Sequence, residues 1–342
     1  MKKMKIPWAK PLIGKQELKQ VYDCFKKNRF TQGKKVEKFE RDILKHFNSK
    51  YAIAVSNGTV ALDLAFKAID IKRGDEIIVP AITYISTATS VSYQGAIPVF
   101  VDVDLKNCCI DPKKVLKAIT KKTKAIVFID YGGNPADHKE LIALSRKFNI
   151  PLIHDAAQSL GSKFQGKSLG GAALISTMSF HMAKVITTIE GGVVFTNSKK
   201  LYEKIKILRN IGEPKSKKYQ HTHLGTNARM TEIQAGIGIE QIKKLKFILK
   251  NRDRVTNLYN NFFKKNHKIS LFKTLPSYKN ANFFYPILVK RRNFVAKKLL
   301  NKFQIDTRIA YPMPIYEQKL YKSSVARSGY DNLLKFSKAV LS

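Results

Sequence analysis

The chain has 342 residues, with 63 lysines and arginines against 25 aspartates and glutamates and a formal net charge of +38. That length exceeds one ordinary core and suits a large domain plus a smaller one, and no stretch approaches the roughly 20 apolar residues of a membrane helix. The basic start Met1-Lys2-Lys3-Met4-Lys5-Ile6-Pro7-Trp8 has no apolar signal-peptide core behind it, so the cytoplasm is the expected compartment.

Most of the positive charge is lysine, spread in pairs along the whole length, and arginine, which reads bases and phosphates bidentately, is a minority. A dedicated nucleic-acid binder concentrates its charge on one face. The spread therefore favours an A/T-rich coding sequence as the origin of the lysines, with a basic nucleic-acid-binding protein as a rival reading. Either way, anionic substrates are drawn in. Cys24, Cys108 and Cys109 lack zinc or redox spacing and read as reduced thiols. The seven histidines show no H-x-x-x-H or Cys/His cluster, so no metal is expected.

Short β-branched runs predict strands at Tyr51 to Val55, Glu76 to Val79, Ile97 to Val101, Lys124 to Ile129, Pro151 to His154, Ile175 to Phe180 and Gly192 to Thr196. Amphipathic segments lie between them, as at Thr59 to Ile69, Ser86 to Tyr93 and Ala136 to Phe148. Strand alternating with helix implies an α/β fold whose seven-stranded sheet is mainly parallel, with helices on both faces. A helical region runs from Asn227 towards Lys265 with apolar positions at Ile233, Ile237, Ile242, Leu245 and Leu249. Beyond it a smaller α+β domain is expected, with strands at Phe283 to Val289 and Asp306 to Ala310 around a helix from Asn293 to Phe303. The division is thus a large domain over 1–240, with an N-terminal helical segment, and a small domain over 241–342. The lysine-rich stretch Pro214 to Thr222 is the expected mobile loop.

Three sites carry chemistry. Ser56-Asn57-Gly58-Thr59 closes the first strand and opens a helix, where free backbone N–H groups and the Thr59 hydroxyl could cradle a phosphate; an ordinary N-cap is the alternative. His154-Asp155-Ala156-Ala157-Gln158 ends another strand, which puts Asp155 at the carboxyl edge of a parallel sheet, either paired with a pyridinium N–H or capping the next segment. Lys184 follows a further strand in Ser179-Phe180-His181-Met182-Ala183-Lys184 and is flanked by Val185 and Ile186, then by Glu190-Gly191-Gly192. One lysine among so many has no standing from composition, but this apolar setting desolvates it and lowers its pKa towards the nucleophilic amine. An amine, an acid and a phosphate cradle are what pyridoxal 5'-phosphate requires.

These motifs resemble the DegT/DnrJ/EryC1/StrS family of sugar-nucleotide aminotransferases. Thr31-Gln32-Gly33 with Val36-Glu37-Lys38-Phe39-Glu40 is similar to its Q-G-x-x-V-x-x-F-E, and Gly74-Asp75-Glu76 with Val79-Pro80-Ala81-Ile82-Thr83-Tyr84 to its G-D-E-V-I-V-P-x-x-T-aromatic run. Gly95 to Asp104 is similar to G-A-x-P-V-F-V-D-V-D, and Gly225 to Ala235 to G-x-N-x-R-M-T-E-I-Q-A. The resemblance implies a type I aminotransferase-like fold and a transaminase moving an amino group from an amino acid, glutamate foremost, to a nucleotide-linked 4-keto-6-deoxy sugar. It implies that Lys184 holds the cofactor and shuttles protons, that Asp155 pairs with the pyridine nitrogen, that Gln158 approaches the ring and that Tyr84 stacks on it. Gly58, Thr59 and Ser179 would hold the phosphate, and Asn227 would reach it from the second subunit of a homodimer. Arg229 and Tyr311 are candidate substrate contacts, with a helix-anchoring arginine and a packed tyrosine as their plain alternatives. His181, with Ile186-Thr187-Thr188, resembles the subgroup that aminates C4.

The chain departs from the family's usual residues at Ile189, Asp130 and Tyr316, none of them a cofactor position. Ala339-Val340-Leu341-Ser342 resembles the start of a family segment that runs further, so the small domain is expected to be cut short. That end and Ile189 motivate a second reading, a catalytically idle regulatory or scaffold member of the family.

Overall fold

The computed structural model describes residues 5–322 and the backbone of Val340 and Leu341. Two helices, α1 (Lys15–Lys26) and α2 (Lys34–Leu44), lead into β1 (Tyr51–Val55), α3 (Gly58–Ala68), β2 (Glu76–Pro80), α4 (Ser86–Ser92), β3 (Ile97–Val101), α5 (Pro112–Ala118), β4 (Thr123–Ile129), α6 (His138–Phe148) and β5 (Leu152–Asp155). The short β6 (Lys163–Phe164) and β7 (Lys167–Ser168) precede β8 (Ile175–Ser179), β9 (Gly192–Thr196), α7 (Lys199–Arg209) and the long α8 (Glu232–Phe263), which passes through position 240 without a break. The remainder holds β10 (Ile269–Leu271), β11 (Tyr278–Lys279), β12 (Ile287–Val289), α9 (Arg292–Phe303) and β13 (Val340–Leu341).

The seven-stranded sheet has the order β1-β9-β8-β5-β4-β2-β3. Only β9 runs against its neighbours β1 and β8. The pleat sorts the side chains into two cores. Ile53 and Val55 of β1 and Val194 of β9 face a core shared with α3, α5, α6 and α7. Ala52, Ala54, Val193 and Phe195 point the other way, onto Val36, Phe39 and Ile43 of α2 and Ala235, Ile239 and Ile242 of α8.

The helix starts follow from local chemistry. Asn57 caps α3 by accepting from Val60 N–H at 2.9 Å, Asp111 caps α5 ahead of Pro112, and Asp137 caps α6. Thr231 and Gln234 form a capping box on α8. At α2 the N-cap is Gly33, which has no side chain to offer; the carboxylate of Glu232 accepts from Lys35 N–H and Val36 N–H instead, at 3.1 and 2.9 Å.

A second sheet, β10-β12-β13, belongs to the C-terminal part. The strand expected over Phe283 to Val289 is confined to Ile287–Val289, and none forms over Asp306 to Ala310. That segment turns to the N-terminus: Ile6 N–H donates to Gln304 O and Asp306 N–H to Ile6 O, both at 2.9 Å. Among the described residues the ladder stops at this single bridge of Ile6 with Ile305. Pro214 to Thr222 holds neither helix nor strand. The expectation that the fold continues past Ser342 lies outside the described residues. Among the described residues no helix is long and apolar enough to cross a membrane.

Candidate active site

With β9 the only reversed strand, β1, β2, β5 and β8 all finish at the same edge of the sheet. Ser56 to Thr59, Thr83 and Tyr84, Asp155 to Gln158, and the loop from Phe180 to Gly191 therefore collect there, at the edge where parallel sheets bind ligands. Ser179 and Gly192 are cross-strand partners, so the loop bearing Lys184 leaves and returns at this edge.

Asp155 is the last residue of β5 and 6% exposed. Its Oδ2 accepts from Thr87 Oγ1 at 2.8 Å, and among the described residues its Oδ1 accepts only a long bond from Ala157 N–H, 3.2 Å. Among the described residues no cationic side chain lies within 4.0 Å of this buried carboxylate. A buried anion with a spare acceptor calls for a positive donor, and a pyridinium N–H is one.

Lys184 is partly buried and its Nζ sits 4.9 Å from the centre of the Phe283 ring. Burial pushes its pKa down, against the pull of the Asp155 charge. The desolvated amine expected from the apolar flanks is what the fold provides. A cavity of about 640 Å³ opens beside it, walled by Trp8, Arg252, Phe284 and Tyr285 among others.

Gly58 and Thr59 open α3 directly against Ser179: a Cβ on Gly58 would fall 2.7 Å from that of Ser179. Gly192 backs the same turn, because a Cβ there would land on the Asn57 carbonyl, 2.6 Å from its carbon. Two glycines thus hold a helix start and a serine hydroxyl at close quarters, with first-turn N–H groups that have no intrahelical partner. Such a corner could cradle a phosphate next to an amine and an acid, and pyridoxal phosphate fits the set.

The remaining candidates divide. Gln158 is fixed by Gly132 N–H, which donates to its Oε1 at 2.7 Å, and its Nε2 donates to Tyr311 Oη at 3.0 Å. Tyr311 sits at φ +54°, an uncommon conformation for an aromatic residue, and burial raises its hydroxyl pKa, assisted by Asp155. Tyr84 lies after β2 and the residue is 59% exposed, so it is no core aromatic. His181 accepts from Ala183 N–H through Nδ1 at 3.3 Å and stands 3.7 Å from Glu190, beside Lys184 in the chain. Asn227 and Arg229 run along the end of β1, where Ser56 N–H donates to Ala228 O. Asn227 is exposed, and Arg229 donates to Asn210 Oδ1 at 2.7 Å.

Sequence reasoning missed two groups. Thr87 and Thr83 stand behind Asp155, within the run that the resemblance follows only as far as Tyr84. Two of the histidines read as scattered converge on Asp130: His138 Nε2 donates to its Oδ1 at 2.9 Å and His154 Nε2 to its Oδ2 at 2.8 Å. All three are buried and could in principle ligate a cation. Their separations are those of hydrogen bonds, with a ring nitrogen on each carboxylate oxygen. The His154 ring lies flat on Phe128, 4.6 Å between centroids, as a packed core group does.

Known proteins resemble the chain over nearly its whole length. The chain is 34% identical to UDP-4-amino-4,6-dideoxy-N-acetyl-beta-L-altrosamine transaminase of Campylobacter jejuni subsp. jejuni serotype O:23/36, over 98% of this chain and 91% of that protein. It is 34% identical to GDP-perosamine synthase of Escherichia coli O157:H7, over 94% and 90%. The solved structure of Helicobacter pylori PseC, an aminotransferase involved in the biosynthesis of pseudoaminic acid, superimposes with a TM-score of 0.92 at 32% identity, covering 99% of this chain and 93% of that one. The sequence pattern of one family spans residues 11–342, and the chain belongs to it: the DegT/DnrJ/EryC1/StrS aminotransferase family.

Proposed function

We propose that this aminotransferase moves an amino group from glutamate to the ketone of a nucleotide-linked 4-keto-6-deoxy sugar, at C4, in the cytoplasm. One observation carries the reading: a desolvated lysine and a buried, cation-free carboxylate share a sheet edge with a glycine-built phosphate cradle. Pyridoxal phosphate, when bound, supplies the carbonyl that takes up the amine and a ring that accepts electrons from the substrate carbon. Asp155 holds the proton of the ring nitrogen, and Gly58, Thr59 and Ser179 bind the phosphate. Lys184 Nζ, kept in its neutral amine form by burial, takes the proton from the donor's α-carbon and in the second half-reaction returns one to the sugar carbon. Tyr84 covers the ring face and excludes water.

The choice of C4 is supported by His181 and by the 4-amino-4,6-dideoxy sugar in a relative's name. A nucleotide diphosphate suits a chain of charge +38. We assign Tyr311, Arg229 and His181 to substrate. Asn227 is assigned to the phosphate of the second subunit in a homodimer, for which its exposed side chain leaves it available. The division into a PLP-binding part over 1–240 and a small part over 241–342 belongs to the same proposal.

The test is the absorption spectrum of the protein loaded with cofactor, beside that of Lys184→Ala. A visible band that is absent in the variant and bleaches when glutamate is added is expected, and a nucleotide-linked 4-keto-6-deoxy sugar should then restore it. Persistence of the band under glutamate refutes the donor. Bleaching without restoration by the keto sugar refutes the acceptor.

A further inference from the structure

Asp155 is the end of a chain of hydroxyls. Thr87 Oγ1 lies 2.8 Å from its Oδ2, and Thr83 Oγ1 lies 2.9 Å from Thr87 Oγ1. Thr87 is fully buried, and Thr83 is 3% exposed. A carboxylate can only accept and a hydroxyl has a single proton. Thr87 must therefore spend its proton on Asp155, and the contact with Thr83 can be made only if Thr83 donates. The direction is forced: Thr83 to Thr87 to Asp155. In a water-poor interior such donors polarise one another, so the second strengthens the first.

We propose that Thr87 and, through it, Thr83 are positioning residues that set the proton balance between Asp155 and the ring nitrogen of the cofactor. This rests on the reading of Asp155 as the partner of that nitrogen. Donation into Oδ2 stabilises the ionised carboxylate against the acid form and lowers its appetite for a proton, so the shared proton stays on the ring. It also fixes the carboxylate through Oδ2, which leaves Oδ1, held among the described residues by the long bond from Ala157 alone, with a lone pair to spare. Without Thr87 the proton moves towards Asp155 and the ring loses its electron-accepting character. The other charged or titratable groups acting on this corner are Lys184 and Tyr311, both within reach of the Asp155 charge.

The measurement is the ¹⁵N resonance of pyridoxal phosphate labelled at its ring nitrogen, bound to the full chain. The wild-type protein should show the protonated position. Thr87→Val, which keeps the shape and removes the donor, should move the resonance towards the unprotonated position and lower kcat roughly tenfold with little change in KM, the scale of one lost hydrogen bond to a charged group. Thr87→Ser should restore both. Thr83→Val, which leaves every atom touching Asp155 in place, should move the resonance the same way by a smaller amount. An unmoved resonance in Thr87→Val overturns the proposal, and if that variant does not hold cofactor, an unmoved resonance in Thr83→Val does so. Failure of the underlying reading looks different: the wild-type resonance would already sit at the unprotonated position and Asp155→Asn would leave it there.

Discussion

Replacing Asp130 by asparagine tests the largest polar investment of the core. The carboxylate is fully buried and accepts three bonds: His138 Nε2 and Ala136 N–H on Oδ1, each at 2.9 Å, and His154 Nε2 on Oδ2 at 2.8 Å. Asparagine keeps the shape but offers one acceptor oxygen. If that oxygen serves Ala136 and His138, the new amide group meets the N–H of His154, donor against donor. Losing charge-assisted bonds worth about 1.5–3 kcal/mol each and leaving a buried donor unpaired gives a loss of about 3–5 kcal/mol. Burial opposes ionisation of Asp130, but His154 and His138 outweigh it and hold the carboxyl well below its usual range. A depressed carboxyl contributes stability above its unfolded value of about 3.9 and loses it as pH falls through the folded value. The gap between wild type and variant should thus be level from about pH 7 to 5 and close only under about pH 4. Urea unfolding of the apoprotein, followed by circular dichroism across that range, measures it. A loss under about 1 kcal/mol at pH 7, or a gap that closes between pH 7 and 5, refutes the assignment.

Glu232→Ala should uncap α2 and cost about 1–2 kcal/mol, read as a lower thermal midpoint, and unchanged stability would show that water replaces the carboxylate. Gly192→Ala drives a methyl group into the Asn57 carbonyl and should weaken cofactor binding in a titration, whereas Gly14→Ala, which meets nothing within 4 Å, should be silent. In the apoprotein, Lys184→Met should raise stability at pH 7. Burial lowers the lysine pKa, so the folded state resists the proton that the unfolded chain holds up to about pH 10.4, and the advantage should vanish above that pH.

The sheet was legible because its strands are separate β-branched runs: β1, β3 and β9 begin and end where the residues predict. The strand-end position of Asp155 was legible, though not whether it pairs or caps, and the burial of Lys184 was legible because its flanks are apolar. The cap on α2 was not, since Gly33 and its carboxylate from Glu232 meet only through the fold. Nor was the union of His138 and His154 on Asp130, since each reads singly as a stray polar residue. Thr87 looks like a polar residue of a short helix, and Thr83 like part of the turn before it, until β2 and β5 are placed in one sheet. The 306–310 segment misled because Ile309 and its neighbours have strand composition while the chain beside them pairs only through the single bridge of Ile6 with Ile305 among the described residues.

The one reversed strand also orders the assembly of the site in time. Ser179 pairs with Gly192 across a short connection, so the loop carrying Lys184 closes through a local contact of low entropic cost. The proposed phosphate cradle waits for β1 to pair with β9, Val55 meeting Gly192 from the far side of the chain. Contacts so distant in sequence form late in folding. During synthesis, Ser56 to Thr59 emerge long before the strand that will anchor them, so a nascent chain can present its lysine without a place for the phosphate. Tight retention of the cofactor then reports that the longest-range pairing of the sheet is complete.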